Sequence, residues 1–134
     1  MKVVFVCAHG AAKSVLAGSY FNLLAEQAGL DARAVARGTE PDAEIAQRVR
    51  ADAETNGVAL CASQPTRLDD ADVESADVLI AFDVQVPPLE RSRQHLAWDG
   101  LPALSEDFDS GKAAILSRVE GLVAELRQPD PSAT

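Results

Sequence analysis

Val4-Phe5-Val6-Cys7-Ala8-His9-Gly10-Ala11-Ala12-Lys13-Ser14 is the stretch that sets the architecture. Together with Lys2 and Val3 it opens on a β-branched and aromatic run ending at Cys7, the composition of a buried parallel strand. Residues 8 to 12 then lose nearly all side-chain bulk and read as a turn. From Lys13 to Gln27, Leu16, Tyr20, Leu23 and Leu24, with Ala28 beyond, recur near helical spacing. Strand, tight loop and helix in this order predict a cysteine at the carboxyl edge of a parallel sheet, where open α/β sheets bind ligands.

Outward from that unit the same alternation continues. Ala28-Gly29 closes the helix, Ala32 to Ala36 reads as a short strand, and Gly38-Thr39-Glu40-Pro41 is a turn into a second helix. Ile45 and Val49 give that helix its apolar side and Gly57 its stop. Leu68 to Val73 resembles a short capped helix, and Asp77-Val78-Leu79-Ile80-Ala81-Phe82-Asp83 is the clearest central strand. Pro87 and Pro88 break the chain, Gln94 to Trp98 is a candidate strand, and Asp99 to Asp107 is an acidic loop. The last helix should bury Ala113, Leu116, Val119, Leu122, Val123 and Leu126. These readings predict an α/β doubly wound sheet of about four parallel strands with helices on both faces. One domain is expected over residues 1–127, followed by a mobile tail, 128–134, that has no apolar anchor.

A net charge of −9 repels polyanions and argues against nucleic acid as a partner. No apolar stretch is long enough for a membrane span or a secretory leader, so a cytoplasmic protein with no membrane partner is expected. Cys7 and Cys61 are then expected to stay reduced, and His9 and His95 complete no metal-ligand pattern, so neither metal nor cofactor is expected.

Between Cys7 and the helix, the small residues Ala8, His9, Gly10, Ala11 and Ala12 can turn their backbone N–H groups around a tetrahedral anion, with Lys13 and Ser14 completing the site. A cysteine among those donors, at a helix N-terminus and beside Lys13, should ionise below its ordinary value of ~8.5. The Ser14 hydroxyl could donate to the sulfur as nucleophile and as leaving group. His9 could contact the anion or Cys7, although the sequence offers it no partner. Cys61 reads as a small buried residue, or alternatively as a resolving thiol.

Residues 4 to 14 resemble the low-molecular-weight tyrosine phosphatase pattern, in which a cysteine is followed five residues later by Arg-Ser. Arg37-Gly38-Thr39, the strand at 76–83 and Asp107-Phe108 extend the resemblance from residue 2 to about 127. The resemblance implies a three-layer flavodoxin-like fold shared with arsenate reductases, and a phosphomonoesterase in which Cys7 attacks phosphorus and forms a cysteinyl-phosphate. The partner would be a phosphorylated substrate or an inorganic oxyanion. Two other readings stay open: arsenate reduction, with an external small thiol as second partner, and a catalytically silent oxyanion- or partner-binding module.

Several positions depart from the pattern. The loop arginine is Lys13, which cannot clamp phosphate oxygens in two-pronged fashion. The usual loop asparagine and its serine partner are Gly10 and Ala36, so the loop is expected to close with a weaker brace. Arg37 could reach the loop and partly replace the missing guanidinium; its ordinary reading is a solvated arginine. No Asp-Pro precedes the last helix. Counting back from Asp107-Phe108 puts Asp99-Gly100 there, so Asp99 is the first candidate general acid and Asp107 the second. The aromatic pair that grips a phosphotyrosine ring is also missing.

Overall fold

Alternation along the first strand divides the molecule into two cores. Val3, Phe5 and Cys7 point to one face of the sheet, and Val4 and Val6 to the other. The computed structural model describes residues 1–86 and 94–127; the Pro87-Pro88 break and the 128–134 tail read from the sequence lie outside them. Within the described residues the elements are β1 (Lys2–Cys7), α1 (Lys13–Gln27), β2 (Arg33–Gly38), α2 (Gln47–Asn56), α3 (Asp70–Ser75), β3 (Val78–Ala81), β4 (His95–Ala97) and α4 (Phe108–Arg127). The strands form one parallel sheet in the order β2-β1-β3-β4. The expected α/β sheet of four parallel strands, with helices on both faces, is therefore the architecture found.

The larger core lies under α1, α2 and α4, where Phe21, Val49 and Ile115 meet Phe5, Ile80 and Phe82. Phe5 is its hub, with ring centroids 6.0 Å from Phe21, 6.2 Å from Phe82 and 5.8 Å from Trp98, spacings at which aromatic pairs attract. On the other face Val73 of α3 packs with Val4, Val6 and Leu79. A shared carboxylate ties three helices together: Asp52 on α2 accepts from the Tyr20 hydroxyl at 2.7 Å and from Lys112 Nζ at 2.6 Å. Burial, reinforced by the Asp52 bond, pushes the Tyr20 hydroxyl pKa up.

Several details differ from the sequence reading. β2 runs on through Arg37 and Gly38 because Gly38 pairs with Cys7, a register set by the neighbouring strand and not by local composition. Helix α2 begins at Gln47, after Ile45, because the amides of residues 39, 40, 42 and 46 bond elsewhere instead of starting a helical ladder. On α4, Ile115 is fully buried whereas Ala113 is exposed. The expected capped helix is α3, in which the Asp69 side chain accepts from the Asp72 amide and the Asp72 side chain accepts from the Asp69 amide in return.

Asp72 also receives Arg37 Nε at 2.9 Å. Burial alone would raise its pKa, but the Arg37 bond and the Asp69 amide outweigh it and hold the carboxyl below the usual range. Such a group stabilises the fold fully above its unfolded pKa of ~3.9 and loses that contribution as pH falls through the depressed folded value. Asp72→Asn is accordingly expected to cost about 1–2 kcal/mol at neutral pH. In urea titrations the gap from wild type should narrow as pH falls below the unfolded carboxyl value of ~3.9, and a gap independent of pH would contradict the assignment.

Candidate active site

Residues 7–13 leave the sheet between β2 and β3, the two neighbours of β1, where chain connections diverge to opposite sides. The loop is held mainly by backbone, with the Thr39 hydroxyl adding a long bond to the Ala8 carbonyl at 3.5 Å. The amides of Thr39, Glu40, Asp42 and Ala46 donate to the carbonyls of Cys7, Ala8, His9 and Ala11 at 3.2, 2.7, 3.0 and 2.9 Å. Described peptides are all trans, so the N–H ends of the same planes, those of Ala8, His9, Gly10 and Ala12, point away from this clamp. Outward-fixed carbonyls and oppositely directed amides are what a ring of anion donors requires.

Gly10 makes the clamp possible. Its φ is +60°, and a Cβ there would stand 2.8 Å from the Gly38 nitrogen; one at Gly38 would stand 2.7 Å from the Gly10 nitrogen. Two bare backbones in contact stand where the side-chain brace is absent, in keeping with the reading that glycine lets the loop close without it.

Cys7 sits at the end of β1, 8% exposed, with its sulfur 3.0 Å from the Ser14 hydroxyl oxygen. Ser14 is fully buried in the first turn of α1. Above them opens a cavity of about 340 Å³ lined by loop residues, by Asp42 and Ala46, by Phe82 and Asp83, and by Ala103 to Ser105. Lys13 borders it with Nζ 3.4 Å from both Asp83 Oδ2 and the Leu101 carbonyl.

The other sequence candidates are placed differently. Arg37 lies on the strand face opposite Ala34, Ala36 and Gly38, and its guanidinium is spent on Asp72 and the Ala36 carbonyl; it does not line the cavity. Asp99 does not line it either, because its Oδ1 accepts the Asp83 amide at 2.9 Å while Asp83 Oδ1 accepts the Gly100 amide at 2.9 Å. Asp107 starts α4 by accepting from the Ser110 amide at 3.1 Å and its hydroxyl at 2.8 Å; the amide bond, then the hydroxyl, lowers its pKa and disfavours a proton on it. Where the loop before α4 faces Cys7, it presents Ala103, Leu104 and Ser105, none of them an acid.

Two acids that the sequence reading missed do line the cavity. Asp83 follows β3 at the same sheet edge as Cys7, a position that was itself the available signal, and it adopts φ +54°. Asp42 lies in the clamp segment, with Oδ1 3.2 Å from His9 Nδ1, so the loop histidine does have a partner. Cys61 packs against Gly18, donates weakly to the Val15 carbonyl and has its thiol pKa pushed up by burial, all consistent with its packing role.

Asp83 competes with any bound anion for the Lys13 ammonium. Asparagine keeps the Oδ1 acceptor for Gly100 and tolerates positive φ, so Asp83→Asn should remove the competing charge without undoing the turn. We expect this variant to bind inorganic phosphate about 3- to 5-fold more tightly, as measured by calorimetric titration, the scale of one exposed ion pair.

Among the described residues no helix is long and apolar enough to cross a membrane. Residues 2–95 match the family model described as low molecular weight phosphotyrosine protein phosphatase. No curated protein sequence matches the chain. Among solved structures, the chain is similar to a thioredoxin-dependent arsenate reductase of Corynebacterium glutamicum, with 25% identity and a TM-score of 0.78. That match covers 94% of this chain but only 61% of the other. An arsenate reductase described in its phosphate-binding state is 22% identical, with TM-score 0.75 over 93% of this chain and 98% of its own. A low molecular weight phosphotyrosine phosphatase of Vibrio cholerae is 16% identical, with TM-score 0.80 over 96% and 97%. With a matched model spanning more than half its length and a cysteine loop in the expected place, the chain belongs to the low molecular weight phosphotyrosine phosphatase and arsenate reductase family.

Proposed function

We propose that the protein is a cysteine-dependent phosphomonoesterase acting on small or extended phosphorylated substrates rather than on phosphotyrosine specifically. The observation that carries this reading is the Cys7 sulfur at the base of a cavity, 3.0 Å from a buried serine hydroxyl and enclosed by a loop whose carbonyls are fixed outward. Cys7 attacks phosphorus in line. Amides from Ala8 to Lys13, together with the Lys13 charge, stabilise the equatorial oxygens. Ser14 donates to the sulfur when it carries negative charge, both before attack and as it leaves. Water then hydrolyses the cysteinyl-phosphate.

The absence of phosphotyrosine specificity rests on the cavity wall. Ala46, Ala103 and Leu104 supply its apolar wall, and among the described residues Phe82 is the aromatic hydrocarbon side chain that lines it.

Arsenate reduction is the second reading, favoured by the likeness to the Corynebacterium enzyme. In that reaction Cys7 forms an arsenate adduct, and an external thiol supplies the electrons. Cys61 is ill placed to do so, being held in the groove of α1 by Gly18 and Ser19.

The two are separated by supplying each substrate to the purified protein. Turnover of para-nitrophenyl phosphate supports the phosphatase. Arsenate-dependent consumption of a small thiol or of reduced thioredoxin, with no phosphate release, would replace it by the second reading. Phosphate binding without either reaction would leave a silent oxyanion-binding module.

A further inference from the structure

We propose that His9, oriented by Asp42, protonates the leaving group, a role that rests on the phosphatase reading above. The family member lacks an acid where its last loop meets the cavity: Ala103, Leu104 and Ser105 stand there, Asp99 is committed to the Asp83 amide and Asp107 to capping α4. Some other group must supply the proton if esters of poorly acidic alcohols are to be cleaved.

Among the described residues, the ionisable ones lining the cavity are Cys7, His9, Lys13, Asp42 and Asp83. Cys7 is the nucleophile, and Lys13 serves the anion. Asp83 has both carboxylate oxygens engaged, Oδ2 by Lys13 Nζ at 3.4 Å and Oδ1 by the Gly100 amide at 2.9 Å. This leaves the pair His9 and Asp42. The His9 ring belongs to the anion loop itself, two residues after the nucleophile, and stands at the mouth with its side chain 64% exposed. Asp42 Oδ1 lies 3.2 Å from Nδ1, so Nε2 is the ring nitrogen left for a substrate. Asp42 is fixed in turn, since its own amide bonds the His9 carbonyl at 3.0 Å. A carboxylate on one imidazole nitrogen, setting the ring and stabilising the imidazolium while the other nitrogen handles the reaction proton, is sound acid–base design.

The step balances as follows. As the S–P bond forms, the bond from phosphorus to the ester oxygen breaks, its electron pair goes to that oxygen, and the oxygen takes the proton from Nε2. In the second step neutral His9 accepts a proton from the attacking water. The S–P electron pair returns to sulfur, and inorganic phosphate leaves with His9 protonated again.

Leaving-group dependence tests this role. Para-nitrophenolate departs with little help, whereas phenolate needs a proton, so the ratio of kcat/KM for para-nitrophenyl phosphate to that for phenyl phosphate reads the acid at the leaving-group step, before the cysteinyl-phosphate common to both. His9→Gln is expected to raise that ratio about 100-fold. Asp42→Asn should raise it in the same direction by a smaller factor, because the ring would remain but lose its orientation. A ratio within about 3-fold of wild type in both variants, whatever the absolute rates, would overturn the role while leaving the phosphatase reading intact. If wild type turned over neither ester, the phosphatase reading would fall, and the acid with it.

Discussion

Cys7→Ser is expected to lower turnover of para-nitrophenyl phosphate by more than about 10³-fold while phosphate still binds. The two halves of that expectation come from different parts of the site. Turnover requires sulfur, because a serine hydroxyl at the same position would have the Ser14 hydroxyl, a poor proton acceptor, as its hydrogen-bond neighbour. Binding requires the amide ring, which is held by bonds from Thr39, Glu40, Asp42 and Ala46 to loop carbonyls and involves no Cys7 side-chain atom. Calorimetric titration with inorganic phosphate alongside the kinetic assay reads both. Substantial turnover by the serine variant would place the nucleophile elsewhere, and loss of phosphate affinity with retained stability would show that the amide ring depends on sulfur.

The same division between local chemistry and tertiary placement explains what the sequence could and could not disclose. β1, the loop and α1 were legible because each depends on composition within a few residues of itself: an apolar run, a stretch without bulk, then Leu16 and Tyr20 at helical spacing. Cys7 at the sheet edge followed from that order. Arg37 was also legible in principle, since inward Ala34, Ala36 and Gly38 leave the odd positions facing away from the larger core. Asp99 was not. Its count of eight residues back from Asp107 fits the family's acid, but whether its carboxylate faces the cavity or the Asp83 amide depends on how the 99–101 turn meets the end of β3. His9 and Asp42 are 33 positions apart in the sequence, and only the bonding of the clamp segment to the loop brings them together.

Gly10→Ala is expected to cost the fold about 3–4 kcal/mol and to lower turnover by at least about 100-fold. Two effects add. An alanine at φ +60° gives up roughly 1–2 kcal/mol relative to its preferred backbone. Its Cβ would also stand 2.8 Å from the Gly38 nitrogen and 3.0 Å from the Gly38 Cα, contacts with backbone that no rotamer change can relieve, and such overpacking typically costs a further 1–3 kcal/mol. The relief available is to push the 8–11 segment away from β2, which lengthens the bonds from Glu40 and Asp42 and turns the amides off the anion; losing one such donor alone costs about 10²-fold or more in rate. Ala8, in the same loop, supplies the contrast: its Cβ already exists, so Ala8→Ser adds only an oxygen and should retain most of the fold's stability. Chemical denaturation and phosphatase kinetics on the two variants would therefore separate a constraint peculiar to the Gly10–Gly38 contact from general sensitivity of the loop. If Gly10→Ala proved as stable and as active as wild type, the backbone-on-backbone clamp could not be what holds the oxyanion loop.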